Sequence, residues 1–235
     1  MVLAARPYGE GDALVTVLTE HEGLRRGLAR GGGSRGQASL WQPGNLVQAR
    51  WVARLADQLG ALSAELVHPG AALAMDDAIA LGVLSAACAV AEGAVPEQEP
   101  HQAVFGGLVQ LIAGLSRGPE ALADLVRWEA VLLTGLGYGM DFSSCALTGV
   151  GSGLAYVSPR TGRAVAADAA GVWTGRLLRL PAFLLADGPG DPVAWRDGLL
   201  LTGHFLARDA FGHQHRPLPP ARVMLADMVD RLCSV

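Results

Sequence analysis

Arg25, Arg26, Arg30 and Arg35 fall within eleven residues with no acid among them, interleaved with glycines at 27, 31, 32, 33 and 36. A guanidinium is permanently charged, and its planar fork donates two parallel bonds to a phosphate. Glycines, lacking a Cβ, let a ligand approach the backbone. The chemistry on offer is therefore a grip on a polyanion. Arg6 and Arg50 extend the set, and Tyr8 and Trp41 offer rings on which bases can stack. Trp51 is also within reach, with core packing as its alternative reading.

Other motifs fail on context. Gly31-x-Gly33-x-x-Gly36 matches the dinucleotide fingerprint, yet Gln-Ala-Ser-Leu-Trp-Gln-Pro-Gly follows it and cannot open the required helix. Gly32–Gly36 and Gly114–Gly118 both satisfy G-x-S-x-G, but neither lies between a strand and a helix as a nucleophile elbow must. His204, His213 and His215 cluster late in the chain with only Asp209 nearby, which reads as a polar loop rather than a metal site. Cys88, Cys145 and Cys233 form no C-x-x-C pair, and the N-terminus shows no secretory signal, so a reducing, cytoplasmic setting is expected. No acid/base, nucleophile or metal set is assembled, and a binding protein rather than an enzyme is expected.

The elements that must position these residues change character along the chain. Residues 1–70 read as about five short strands separated by turns, among them Ala13–Thr19, Leu24–Ala29, Asn45–Val52 and Leu59–Val67, the pattern of a small barrel of OB or SH3-like type. From Ala71 the period becomes helical, with stretches at Asp76–Glu92, Gln102–Ser116 and Pro119–Gly135. Asp191-Pro192 reads as an N-cap and first helical residue of a helix to about Phe211, and another runs from Pro219 to Cys233. A small hairpin at about 149–166 interrupts the helical domain of residues 71–235. The expected fold class is thus α+β and multidomain. At 51% apolar the chain can offset the entropy of ordering, and its longest charge-free run, Ala78–Ala91, is short for a membrane span.

All 18 cations are arginine. Residues 1–55 hold seven of them against four acids, a net of +3, and the remainder nets −7, a basic arm on an acidic body.

Arg6-Pro7-Tyr8-Gly9-Glu10, Val17-Leu18-Thr19, the arginine-glycine-serine loop and Leu40-Trp41-Gln42-Pro43-Gly44 occur in the order that resembles the N-terminal OB-fold of the bacterial recombination mediator family RecO. Arg127-Trp128-Glu129-x-x-Leu132-Leu133, then Leu136-Gly137-Tyr138-Gly139-Met140-Asp141-Phe142 and Cys145, resemble its helical-domain signature. Tyr156-Val157-Ser158-Pro159 with Gly162, and Pro217-Leu218 with Arg222, follow in place. The resemblance spans nearly the whole chain. It implies an OB-fold barrel followed by a helical domain, and a non-enzymatic, nucleoid-associated protein that binds single- and double-stranded DNA and anneals complementary strands. It also implies work with RecR to load RecA onto DNA coated with single-strand-binding protein, whose acidic-hydrophobic tail the helical domain binds. An adaptor that binds this tail with little DNA affinity of its own is the alternative.

On this reading Arg25, Arg26, Arg30, Arg35, Arg6, Arg50, Tyr8 and Trp41 contact DNA. Arg127, Arg208, Arg216 and Arg222 are the candidates for the partner tail. The chain departs from the family in three ways. Cys145 stands alone with Thr148 at the C-x-x-C partner position, so the four-cysteine zinc site of some relatives, and any cofactor, is not expected. Gly33 replaces a loop arginine, which weakens the DNA grip. The chain starts several residues later than usual, so a short first strand and an incompletely closed barrel are expected.

Overall fold

The computed structural model describes residues 1–53 and 59–233. The chain divides into two compact units, Met1–Gly118 and Pro119–Val235.

In the first unit, strands β1 (Val2–Tyr8), β2 (Asp12–Thr19), β3 (Gly23–Ala29), β4 (Leu46–Val52) and β5 (Gly60–His68) form one sheet in the order β1-β2-β3-β5-β4. All neighbours are antiparallel except β3 and β5, which run parallel through Gly27–Gly60 and Leu28–Ala61. This is the OB-type order the motifs led us to expect. The barrel is not closed, as expected, but β1, at seven residues, is no shorter than β3 or β4. Among the described residues β1 meets the start of β4 through Val2 N–H to Asn45 O and Gly44 N–H to Val2 O, both 2.9 Å. At this junction the Asn45 side-chain amide donates to Ser39 O and Leu40 O at 2.8 and 3.1 Å.

β2 is buried on both faces because alternate side chains serve different cores. Ala13, Val15 and Val17 pack with Val2, Val47 and Leu62, while Thr16 and Leu18, on the opposite face, are fully buried as well. A helix, α1 (Ala78–Ala94), packs against β1 and β2. It opens where the Asp77 carboxylate accepts from the N–H groups of Ile79 and Ala80 at 2.7 and 2.9 Å. A second helix, α2 (Gln102–Ala113), completes the unit. The strands end at His68 and a 3-10 turn starts at Gly70, while the compact unit runs on to Gly118, with α1 against β1 and β2 and α2 against the turn Gly70–Ala74.

The second unit comprises α3 (Ala121–Gly135), β6 (Leu154–Val157), β7 (Ala164–Ala166), a one-turn α4 (Ala167–Ala170), β8 (Leu178–Arg179), α5 (Pro192–Phe205) and α6 (Pro220–Leu232). The expected hairpin is present as β6–β7, and β8 adds a third strand on the free side of β6. Asp191 caps α5 through Ala194 N–H at 2.8 Å with Pro192 in the first turn. That helix ends at Phe205, short of the expected Phe211, because the chain widens into a π-helical turn, Leu206–Ala210. α3 and α5 pack together around Leu122, Val126, Leu199 and Phe205. Among the described residues no helix is long and apolar enough to cross a membrane.

Candidate nucleic-acid interface

The antiparallel register pairs Val17 with Arg25 and Thr16 with Arg26, so the two adjacent arginines leave opposite faces of β3. Arg26 leaves on the α1 side and pairs with Glu97 at 2.6 Å. Arg6 on β1 grips the α1 residue Glu92 bidentately at 2.6 and 2.8 Å, and the Thr16 hydroxyl donates to the same carboxylate at 3.1 Å. Burial pushes the Glu92 carboxyl up, but the Arg6 and Thr16 bonds outweigh it and hold it below the usual range.

Arg25 leaves on the other face and lies over the Trp51 ring, 4.9 Å from its centroid. Its Nε stands 3.3 Å from the Glu22 carboxylate without an aligned hydrogen bond. Trp51 Nε1 donates to Arg26 O at 3.0 Å. Gly60 makes room for this ring, since a Cβ there would fall 2.4 Å from it. Val17, Arg25, Ala49, Trp51 and Leu62 line a groove of about 380 Å³ together with Thr19, Glu20, His21 and Glu22.

Arg30, Arg35 and Arg50 are exposed and have no carboxylate partner among the described residues. The glycine loop is folded back onto the β1–β2 turn: Gly31 N–H donates to Asp12 Oδ1 at 2.7 Å and Gly33 N–H to Gly11 O at 2.9 Å. Gly31 sits at φ 66°, a left-handed conformation suited to glycine. The loop therefore sets Arg30 at the same end of the sheet as Tyr8, which is 52% exposed and pairs with Asp12. Arg54 lies outside the described residues.

Two expectations for this unit are corrected. Trp41 offers no stacking face: at 3% exposure it is part of the sheet's core beside Val2 and Val47. The basic arm is not a basic unit either. Met1–Gly118 carries eight arginines against eleven acids, a net of −3, because residues 56–118 add seven acids, Glu92 and Glu97 among them, and one arginine. Those carboxylates, and the reach of Trp51 to β3, come from distant stretches of chain, and no local pattern announced them.

The arginines expected to bind a partner tail are mostly occupied. Arg222 is buried at 1% exposure and bonds Glu129 at 2.5 and 3.0 Å, with Leu199 O at 2.9 Å, so it belongs to the core. Arg127 donates to Phe183 O, Gly188 O and Asp124 at 3.1, 2.6 and 3.0 Å. Arg208 grips Asp209 through two bonds of 2.7 Å and donates to Pro159 O and Arg160 O. Arg216 is exposed, but it donates to Gln214 Oε1 at 3.3 Å and lies above the Phe211 ring at 6.0 Å.

At the hairpin, Cys145 is buried and accepts from Ala166 N–H at 3.3 Å. That bond and the Thr148 hydroxyl pull its thiol down to about 7. With Thr148 at the partner position, and Cys233 donating instead to Pro192 O at 3.2 Å, the residues present do not fit a four-cysteine zinc site.

Comparison with known proteins bears on both units. Residues 1–69 match the family described as Recombination protein O N terminal, and residues 75–218 match Recombination protein O C terminal. The chain is 61% identical over 235 residues to a DNA repair protein RecO of Granulibacter bethesdensis, covering 99% of this chain and 94% of that protein. It is 58% identical over 238 residues to that of Gluconacetobacter diazotrophicus, with the same coverage. With the RecO of Rhodospirillum rubrum it shares 45% over 239 residues, covering 98% and 94% of the two chains.

Proposed function

Because the chain belongs to the RecO family of DNA repair and recombination proteins, we propose that it binds single- and double-stranded DNA through its OB-type sheet and anneals complementary strands. The observation that carries this reading is the exposed set Arg30, Arg35 and Arg50, with the exposed Tyr8 at the β1–β2 turn onto which the loop folds. Neutralising phosphates lowers the repulsion between two strands, and annealing then needs no covalent chemistry. The activity is one of binding, without catalytic residues, metal or cofactor. Arg6 and Arg26 serve the fold rather than the ligand, since their charges are answered by Glu92 and Glu97.

Cooperation with RecR in loading RecA, and capture of the single-strand-binding protein's tail, rest on the family alone. The groove between α5 and α6 has apolar walls in Leu199, Leu200 and Ala226, but Asp227 and Asp230 face Arg196 across it and oppose an acidic ligand. The carboxylate pairing of Arg6, Arg25 and Arg26 favours a second reading, an adaptor that binds the tail with little DNA affinity. An annealing assay on strands precoated with single-strand-binding protein decides between them. Accelerated annealing that is lost in the Arg30→Glu, Arg35→Glu, Arg50→Glu variant supports the mediator. Tail-peptide binding without any DNA affinity supports the adaptor.

A further inference from the structure

The second unit carries rings and cations at its surface. After α3 the chain turns at Gly137, φ 85°, and Tyr138 N–H bonds back to Leu133 O at 2.8 Å, leaving the Tyr138 ring half-buried at the surface. After the π-helical turn, a short 3-10 turn, Gly212–Gln214, carries the exposed His213 ring onto it. The two centroids are 5.7 Å apart and the planes 19° from parallel. The next residue but one, His215, sits in the left-handed region at φ 53°, and Arg216 follows with its N–H on Phe211 O at 3.0 Å. Such geometry holds His213, His215 and Arg216 in one tight, solvent-facing corner.

The charges around this corner are one-sided. Residues 210–226 contain no acid. Asp209 is held bidentately by Arg208, and Asp141 by Ser143 at 2.6 and 3.0 Å and by Arg163 at 3.6 Å. Arg208 also donates to Pro159 O and Arg160 O, and Asp141 N–H to Gly162 O at 3.0 Å. These bonds seat the β6–β7 turn against the π-helical turn and the segment after Tyr138, with the Arg160 side chain exposed.

We infer that Pro119–Val235 carries a second contact surface for single-stranded nucleic acid, with the Tyr138–His213 stack as the base platform and Arg216 and Arg160 as phosphate contacts. This rests on the reading above that nucleic acid is the ligand. A parallel ring pair at the surface presents a π face to which an unpaired base adds, and base–aromatic stacking is tolerant of sequence. Bases in a duplex are already stacked on both faces, so the platform selects single strands. The arginines answer the phosphates that flank a stacked base. An annealing protein gains from two such surfaces, because each can hold one of the strands being joined.

The test uses the full chain and oligo-dT carrying 5-iodouracil. Irradiation should cross-link Tyr138, and Tyr138→Ala with Arg216→Ala should weaken oligo-dT binding by about five- to a hundredfold. Tyr138→Phe, which keeps the ring, should bind like the wild type, and thermal melting separates loss of binding from loss of fold. The Arg30→Glu, Arg35→Glu, Arg50→Glu variant should retain a residual affinity and the Tyr138 cross-link. If wild type binds oligo-dT, but Tyr138 is not cross-linked and the Tyr138→Ala, Arg216→Ala variant binds as tightly, the inference falls while the sheet reading stands. If the triple glutamate variant binds like wild type and the Tyr138 cross-link persists, the sheet reading falls and this one stands. Should Arg216→Ala weaken an acidic-hydrophobic tail peptide and leave DNA untouched, the surface is a peptide site and the inference is overturned.

Discussion

A guanidinium removed from water must have its charge and donors answered, and Arg222 meets that demand with Glu129, Leu199 O and the Thr202 hydroxyl, the last at 3.3 Å. Removing one partner leaves the other charge buried and unpaired, which costs far more than the intact pair contributes. Arg222→Ala and Glu129→Ala should each destabilise the second unit by about 3–5 kcal/mol in urea unfolding. The paired replacement Arg222→Met with Glu129→Leu should recover most of that loss. Single variants that cost no more than about 1 kcal/mol, the worth of an exposed pair, would show that the site is hydrated instead. In the sequence Arg222 stands in a family motif among candidate ligand arginines, and its partner lies 93 residues away. Burial is a tertiary property, and no spacing near Arg222 encodes it. Trp41 illustrates the same limit, for its neighbours in the core come from β1, β2 and β4.

Elements were more legible than side-chain partners. A β-branched run bounded by turn residues located β2, and Asp-Pro located the start of α5, because those signals act within a few residues. What escaped was pairing across distance. Among the described residues β5 pairs with β3 at Gly27 and Leu28, while the start of β3 has another partner. That partner is the segment after α1: Leu24 bridges to Glu97, and Gln98 N–H donates to Leu24 O at 3.1 Å. Gly23, at φ 70°, lies so close that a Cβ would fall 2.2 Å from Glu99 O. Gly23→Ala should therefore cost at least about 1–3 kcal/mol, read as a lower urea midpoint, and an unchanged midpoint would mean that the segment is not seated there. The Arg6–Glu92 link makes a separate prediction in pH. Glu92 titrates below its ordinary value when folded, so its stabilisation is present above about pH 5 and is lost as pH falls through the lower folded value. The urea midpoints of wild type and Arg6→Gln should differ at pH 6 and converge toward pH 3. A gap that stays constant would remove the pair from the account.

At the scale of the molecule, charge is the property that folding redistributes most. Counted along the chain, the first 55 residues net +3, which reads as a basic arm waiting for a polyanion. Folded, those residues are part of a larger compact unit, Met1–Gly118, whose net is −3, and three of the arm's arginines face carboxylates. Composition by segment could not show this, since the answering acids Glu92 and Glu97 sit in and after α1. The DNA grip of this unit is thus smaller than the arginine count suggests, and salt dependence measures it. Each phosphate neutralised on a single strand contributes about 0.7 to the slope of log K against log salt. Three arginines, Arg30, Arg35 and Arg50, should together supply a slope of about 2, so replacing all three by alanine should flatten the oligo-dT slope by that amount. Arg6→Ala and Arg26→Ala should leave the slope where it is and lower the urea midpoint instead. If those two variants flatten it as strongly, Glu92 and Glu97 are place-holders that yield to phosphate, and the outer face of β1–β3 joins the DNA path.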